Sequence, residues 1–203
     1  PAPRQTRAMR TLLRRYLRRE GETVRGPRLN PRSVMRDIVL KNPPMDALAE
    51  TVAKERGVSV ETVRRKMRKE YNHMAAAYKW WVVAFLVRIT RPLWTRVNAG
   101  IDVRDEDLEA CRAAIRNGTA VLAPCHRSHL DYLLISWLLW VREVAVPHTV
   151  AGANLAIWPV SWFIRGAGGF FIKRSFVNEP TFPAVFGRYL RELIRNGHMV
   201  SFF

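Results

Sequence analysis

Thr119-Ala120-Val121-Leu122-Ala123-Pro124-Cys125-His126-Arg127-Ser128-His129-Leu130-Asp131 is where one apolar run gives way to a polar loop and then to a second apolar run. Residues 119–123 have the length and composition of a buried strand, and 129–140 are apolar at helical length. A strand feeding a helix through a short loop opens an α/β unit. The same texture continues downstream, with strands at 148–151 and 169–173, helices near 155–164 and 183–195, and a closing strand from His198. Upstream, 105–117 reads as a helix, with acidic residues in its first turn and Gly118 after its end.

Everything before about residue 98 reads as helical. An arginine-rich arm at 1–26 has the spacing of a basic amphipathic helix. A helix at 33–40 follows, then two helices within 45–69 separated by Gly57, with Asp46 capping the first and Ser59 opening the second. A long helix is expected from about 61 to 86 or beyond, broken at Pro92. The expected architecture is therefore α/β, with an N-terminal arm and helical domain at 1–98 and an α/β domain with a mixed sheet at 99–203. The chain opens on Pro1 and ends inside an apolar run, so the sheet is expected to be cut short at its C-terminus.

Lys and Arg number 34 against 17 Asp and Glu, a net charge of +17, and residues 1–70 carry the larger share. Such a field favours anionic partners, whether phosphorylated metabolites, acidic lipid surfaces or nucleic acid, without choosing among them. Two cysteines, Cys111 and Cys125, form neither a disulfide framework nor a metal pair, which fits a reducing, cytosol-facing location. The apolar run at 80–87 is too short for the roughly 20 residues that span a bilayer. It suits either a buried helix or one lying in the headgroup region, given its Trp, Phe and flanking basic residues.

His126 and Asp131 are the chemically suggestive pair. A histidine can take a proton from an alcohol while a carboxylate fixes its tautomer and stabilises the imidazolium. On one continuous helix the two would point about 140° apart, so convergence requires His126 in the loop and Asp131 in the first helical turn. Ser128-x-x-Asp131 also has the form of a capping box, and a capping aspartate can be an orienting one. His126, His129 and Cys125 crowd into five positions without a further well-spaced ligand, so no metal is expected. A second constellation is Arg165-Gly166-Ala167-Gly168-Gly169-Phe170-Phe171-Ile172-Lys173-Arg174. Its glycines allow close backbone approach, and its strand delivers Lys173 and Arg174 to a C-terminal end where open sheets bind ligands. A glycine turn followed by a strand with a solvated basic end would read the same way.

Taken in order, His126-Arg127-Ser128-His129-Leu130-Asp131 and Gly168-Gly169-Phe170-Phe171-Ile172-Lys173-Arg174 resemble the bacterial membrane-associated glycerol-3-phosphate 1-O-acyltransferases. So do Pro124-Cys125, Tyr132-Leu133-Leu134, the intervening Ala151-Gly152-Ala153-Asn154-Leu155, and Trp158-Pro159. The resemblance implies that His126 is the general base for the 1-hydroxyl of glycerol 3-phosphate and that Asp131 orients it. It also implies that acyl-CoA or acyl carrier protein supplies the acyl group, with no cofactor. The implied substrate-binding set is Ser128, Arg165, Gly168, Phe171, Ile172, Lys173 and Arg174, with lysine at 173 where the family commonly has arginine. The implied setting is the cytoplasmic face of the cell membrane, peripheral or monotopic, on an anionic surface. The family's further motifs would lie beyond Phe203, so little or no turnover is expected from these 203 residues alone.

A rival reading starts from residues 46–65, which look like a helix-turn-helix with a basic second helix of the kind that enters a major groove. Against it, the second helix leads straight into the Ala- and Trp-rich segment at 74–87.

Overall fold

The computed structural model describes residues 26–27, 30–97, 101, 103–125, 130–173 and 175–202. Residues 1–25 of the basic arm, and His126, Ser128, His129 and Arg174, lie outside the described residues.

Helices α1 (Arg32–Leu40), α2 (Pro43–Arg56) and α3 (Val60–Met74) open the described chain. α2 is capped by Asn42, not Asp46: the Asn42 side chain accepts from the Met45 amide, and Pro43 takes the first helical position. Proline fits there because its missing N–H would have no helical partner anyway. Asp46 instead holds Arg64 at 2.8 Å. Gly57 ends α2 in the left-handed conformation (φ +64°) that its lack of a Cβ permits, and Ser59 caps α3.

The long helix expected at 61–86 is two helices, α3 and α4 (Trp80–Pro92), separated by Ala75–Lys79. Ala75 takes an extended backbone. Three amides of this linker find partners elsewhere in the fold. Ala76 donates to the Tyr189 hydroxyl at 3.2 Å, Ala77 to the Arg165 carbonyl at 3.0 Å, and Lys79 to the Gly166 carbonyl at 2.8 Å. Alanine's helix preference is a fraction of a kcal/mol per residue, and tertiary hydrogen bonding overrides it. Pro92 closes α4 without ending the turn, which continues as a wide helical turn over Leu93–Val97.

The remaining elements alternate: α5 (Asp105–Asn117), β1 (Val121–Leu122), α6 (Asp131–Val141), β2 (His148–Gly152), α7 (Val160–Gly166), β3 (Phe170–Ile172), α8 (Thr181–Arg195) and β4 (Val200–Ser201). The sheet order is β1-β4-β2-β3, and each described pairing is parallel, so the antiparallel component of a mixed sheet is not among them. Registers place Val121 and His148 on either side of Val200, and Gly152 beside Ile172.

Topology dictates the layers. From β1 through β2 to β3 the chain steps one way across the sheet, and from β3 to β4 it steps back. Right-handed crossovers therefore put α6 and α7 on one face and α8 on the other. α4 packs on α6 and α7, while α1, α2 and α3 pack on α8. The main core lies on the α8 face. It joins Met35, Val39, Val52, Met67, Tyr71 and Met74 from the N-terminal helices to Phe170, Phe182, Val185, Tyr189, Leu193 and Val200. One hydrophobic cluster thus draws on both sides of residue 98.

Candidate active site

A parallel sheet sends all its C-terminal strand ends to one edge. The loop after β1 leads to Asp131, and β3 ends at Ile172, directly before Lys173. With β4 and β2 between β1 and β3, three inter-strand spacings separate the two ends, or about 14 Å. Asp131 is the first residue of α6, directly after Leu130. The capping-box reading turns on Ser128, which lies outside the described residues. A carboxylate in the first turn is favoured by the helix dipole.

Below this edge, between the sheet and the α4, α6 and α7 layer, lies a cavity of about 700 Å³. Its walls are largely apolar: Leu86 and Ile89 from α4, Leu133 and Trp137 from α6, Val150 from β2, and Phe163 from α7. Tyr132, adjacent to Asp131, also lines it, and burial raises the pKa of its phenol. A volume in this range, apolar and next to a few polar groups, is typical of small-molecule sites. The sequence alone singled out the apolar run at 80–87 as a buried or headgroup-lying helix. It did not anticipate that α6 residues 133 and 137 would complete the wall, because a helix apolar on every side hides which face meets a void.

The second constellation divides. Lys173 sits half-buried at the β3 end, its ammonium hydrogen-bonded to the Glu179 carboxylate and 4.9 Å from the Phe182 ring centroid. Phe171 is buried and Ile172 packs against the main core. Arg165 donates to the His73 carbonyl at 2.6 Å, and its guanidinium lies 4.9 Å from the Phe171 ring centroid. Burial lowers its pKa. The glycines approach this protein's own atoms. A Cβ on Gly169 would fall 2.3 Å from Ile164 Cγ2, and one on Gly166 would fall 2.9 Å from Val82 Cγ1. Gly168 adopts φ +95°, and its carbonyl faces the His148 ring at 3.2 Å. Gly169 lines the cavity.

Among the described residues no group of three His, Cys, Asp or Glu side chains is arranged to hold a metal ion.

A family profile described as acyltransferase matches residues 101–203, just over half of the chain. The chain belongs to the acyltransferase family. Among curated proteins, the chain is 34% identical over 178 residues to the glycerol-3-phosphate acyltransferase of Haemophilus influenzae (strain PittEE), covering 88% of this chain and 22% of the relative. It is 35% identical to that of Actinobacillus pleuropneumoniae serotype 3 over the same shares. It is 36% identical over 179 residues to that of Histophilus somni (strain 129Pt), again covering 88% and 22%. The chain thus spans about a fifth of the length of the curated relatives it matches.

The chain also carries an exposed aromatic face. Trp80, Trp81, Phe85 and Ile89 of α4 are exposed beside Ile157, Trp158, Val160 and Trp162. Trp81 and Trp162 rings lie 5.6 Å apart, with the Lys79 ammonium 5.5 Å from the Trp162 ring centroid. Among the described residues no helix is long and apolar enough to cross a membrane.

Proposed function

We propose that the protein containing this chain transfers a fatty acyl group from a thioester, acyl-CoA or acyl carrier protein, to the 1-hydroxyl of glycerol 3-phosphate. His126 removes the hydroxyl proton as the oxygen attacks the thioester carbonyl. The tetrahedral intermediate collapses, the C–S bond breaks, and the thiolate leaves with the proton returned from the imidazolium. Asp131 fixes the ring tautomer and stabilises the imidazolium. Lys173 and Arg174 bind the phosphate, the lysine as a point charge and the arginine as a fork.

The observation that carries this reading is the shared edge. The loop leading to Asp131 and the strand end leading to Lys173 leave the sheet on the same side, and the helix that begins at Asp131 forms a wall of the apolar cavity. The gap of about 14 Å between them suits a small phosphate gripped at one end by a lysine stem and presented at the other to a base. The cavity supplies a dry channel for an acyl chain.

The exposed Trp face supports peripheral attachment to an anionic leaflet. Indoles favour the headgroup zone, and each basic residue near such a surface adds on the order of 1 kcal/mol.

The test is incubation of the native full-length protein with labelled glycerol 3-phosphate and each donor. A 1-acyl product dependent on donor is expected. No product with either donor, or acylation at the 2-hydroxyl, would refute the assignment.

A further inference from the structure

The segment between β3 and α8 carries a charge pair with a geometry of its own. Lys173 reaches forward to the carboxylate of Glu179, which that hydrogen bond holds below the usual range for a glutamate. The phenyl ring of Phe182 supports the same ammonium from another side. Glu179 is stationed by contacts that do not involve Lys173. Arg56 of α2 donates to the carbonyl of Asn178, and Thr181 donates from its Oγ1 to Glu70 of α3 at 3.0 Å. Asn178, directly before Glu179, and Thr181, two residues after it, are therefore tied to the N-terminal helices, and the charges of Lys66 and Arg56 favour its ionised form as well.

A carboxylate held in this way against a cation has the charge sign and acceptor oxygens of a phosphate. We propose that Glu179 is the intramolecular occupant of the Lys173 ammonium, and that substrate phosphate binds by displacing it. The proposal rests on the reading of Lys173 as a phosphate ligand. A phosphate monoester brings about −1.5 to −2 charge and three strong acceptor oxygens, against one charge on the carboxylate. Exchange thus favours a phosphate over a carboxylate of similar size. Both partners of the resting pair are partly exposed, at 40% and 32% of their side-chain surface, so opening it costs only what an exposed ion pair is worth. Displaced Glu179 keeps Lys66 and Arg56 nearby, so its charge is not stranded. Glu179 acts through Lys173 as a positioning residue, setting affinity and selectivity for the phosphate.

The test is Glu179→Gln in the native full-length enzyme, with Glu179→Ala as a second variant and circular dichroism to check folding. Removing the competitor should lower KM for glycerol 3-phosphate about two- to fivefold, the equivalent of an exposed pair. The change should fall on KM rather than kcat, and inhibition by inorganic phosphate should tighten in parallel. An unchanged or raised KM in both variants would overturn the exchange. Lys173→Ala separates the two layers. If it raises KM while the Glu179 variants do not lower it, the exchange alone fails. If it leaves KM unchanged, the reading of Lys173 as a phosphate ligand fails.

Discussion

Acidification should unfold this domain through two buried histidines. His148 begins β2 and His198 precedes β4, both are 3% exposed, and their rings meet edge-on with centroids 5.2 Å apart. His148 Nδ1 faces the Gly168 carbonyl at 3.2 Å, while His198 Nε2 is buried without a hydrogen-bond partner among the described residues. A void of about 20 Å³ touches both rings and is lined by Tyr78, Ile115, Ala145 and Met199 among others, with no carboxylate among the described lining residues to stabilise an imidazolium. Burial pushes His148 down to about 3, helped by the neighbouring ring, and His198 down to about 4.

Both folded values lie below the ordinary 6.5, so on acidification the unfolded chain takes up protons first. Stability is whole above about pH 6.5 and falls as pH drops toward 4. Between pH 7 and 5 each ring accounts for about 2 kcal/mol and the pair for about 4 kcal/mol, a large part of an ordinary domain's stability. With a urea slope of about 2 kcal/mol/M, the midpoint should move down by about 2 M. The assay is urea unfolding by far-UV circular dichroism at pH 7 and 5, on wild type and His198→Phe. The variant should lose only about half as much on acidification. Equal midpoints at the two pH values, or a full loss retained by the variant, would refute the reasoning.

Other outcomes follow from particular contacts. Gly169→Ala places a methyl against Ile164 Cγ2 and its carbonyl oxygen, and a thermal or urea melt should show a loss of about 1–3 kcal/mol, as overpacking gives. Phe170→Ala removes a fully buried ring at the junction of the N-terminal helices and the sheet; a loss of about 3–5 kcal/mol is expected in the same melt. Ser136→Phe fills part of the apolar cavity and should shift acyl-chain preference toward shorter donors, since each excluded methylene forfeits about 0.8 kcal/mol. Trp80→Ser with Trp81→Ser and Trp158→Ser removes three exposed indoles. Partitioning onto anionic vesicles, measured by flotation, should fall on the order of a hundredfold.

Local punctuation was legible in the sequence. Gly57 and Ser59 mark the turn and cap that the fold uses, and the helix at Asp105–Asn117 has the bounds its acidic start and glycine end imply. Alternation of strand and helix after residue 118 gave the α/β class. What sequence could not show was tertiary. Residues 75–79 read as helix because their partners, Tyr189, Arg165 and Gly166, lie far along the chain. Helix α2, expected within 45–69, begins instead at Pro43, because proline is equally at home after one helix and at the start of the next. The strands are only two to five residues long in the described structure, too short for their pairing order to be written in periodicity. The helix-turn-helix pattern at 46–65 does fold as two helices about Gly57. Val63, Met67, Tyr71 and Met74 of the second helix turn inward to the shared core, while Arg65, Arg68 and Lys69 remain exposed. Sequence-selective DNA retention that survives moderate salt would argue for the rival reading; binding that collapses with salt reports only charge.

The site was legible as two motifs but not as one place. Parallel order β1-β4-β2-β3 supplies the common edge, and neither motif encodes it. Arg165 enters the substrate-binding set only through the family resemblance; in the fold it donates to the His73 carbonyl and lies over the Phe171 ring. Glu179 and Glu70 carried no signal, since a lone glutamate near a helix start is ordinary.

Replacement of His126 by alanine in the full-length protein, with acyl transfer to glycerol 3-phosphate measured alongside a urea melt, tests the base most directly. Near-complete loss of product at unchanged unfolding midpoint is the expected result. Turnover at the wild-type rate would contradict it.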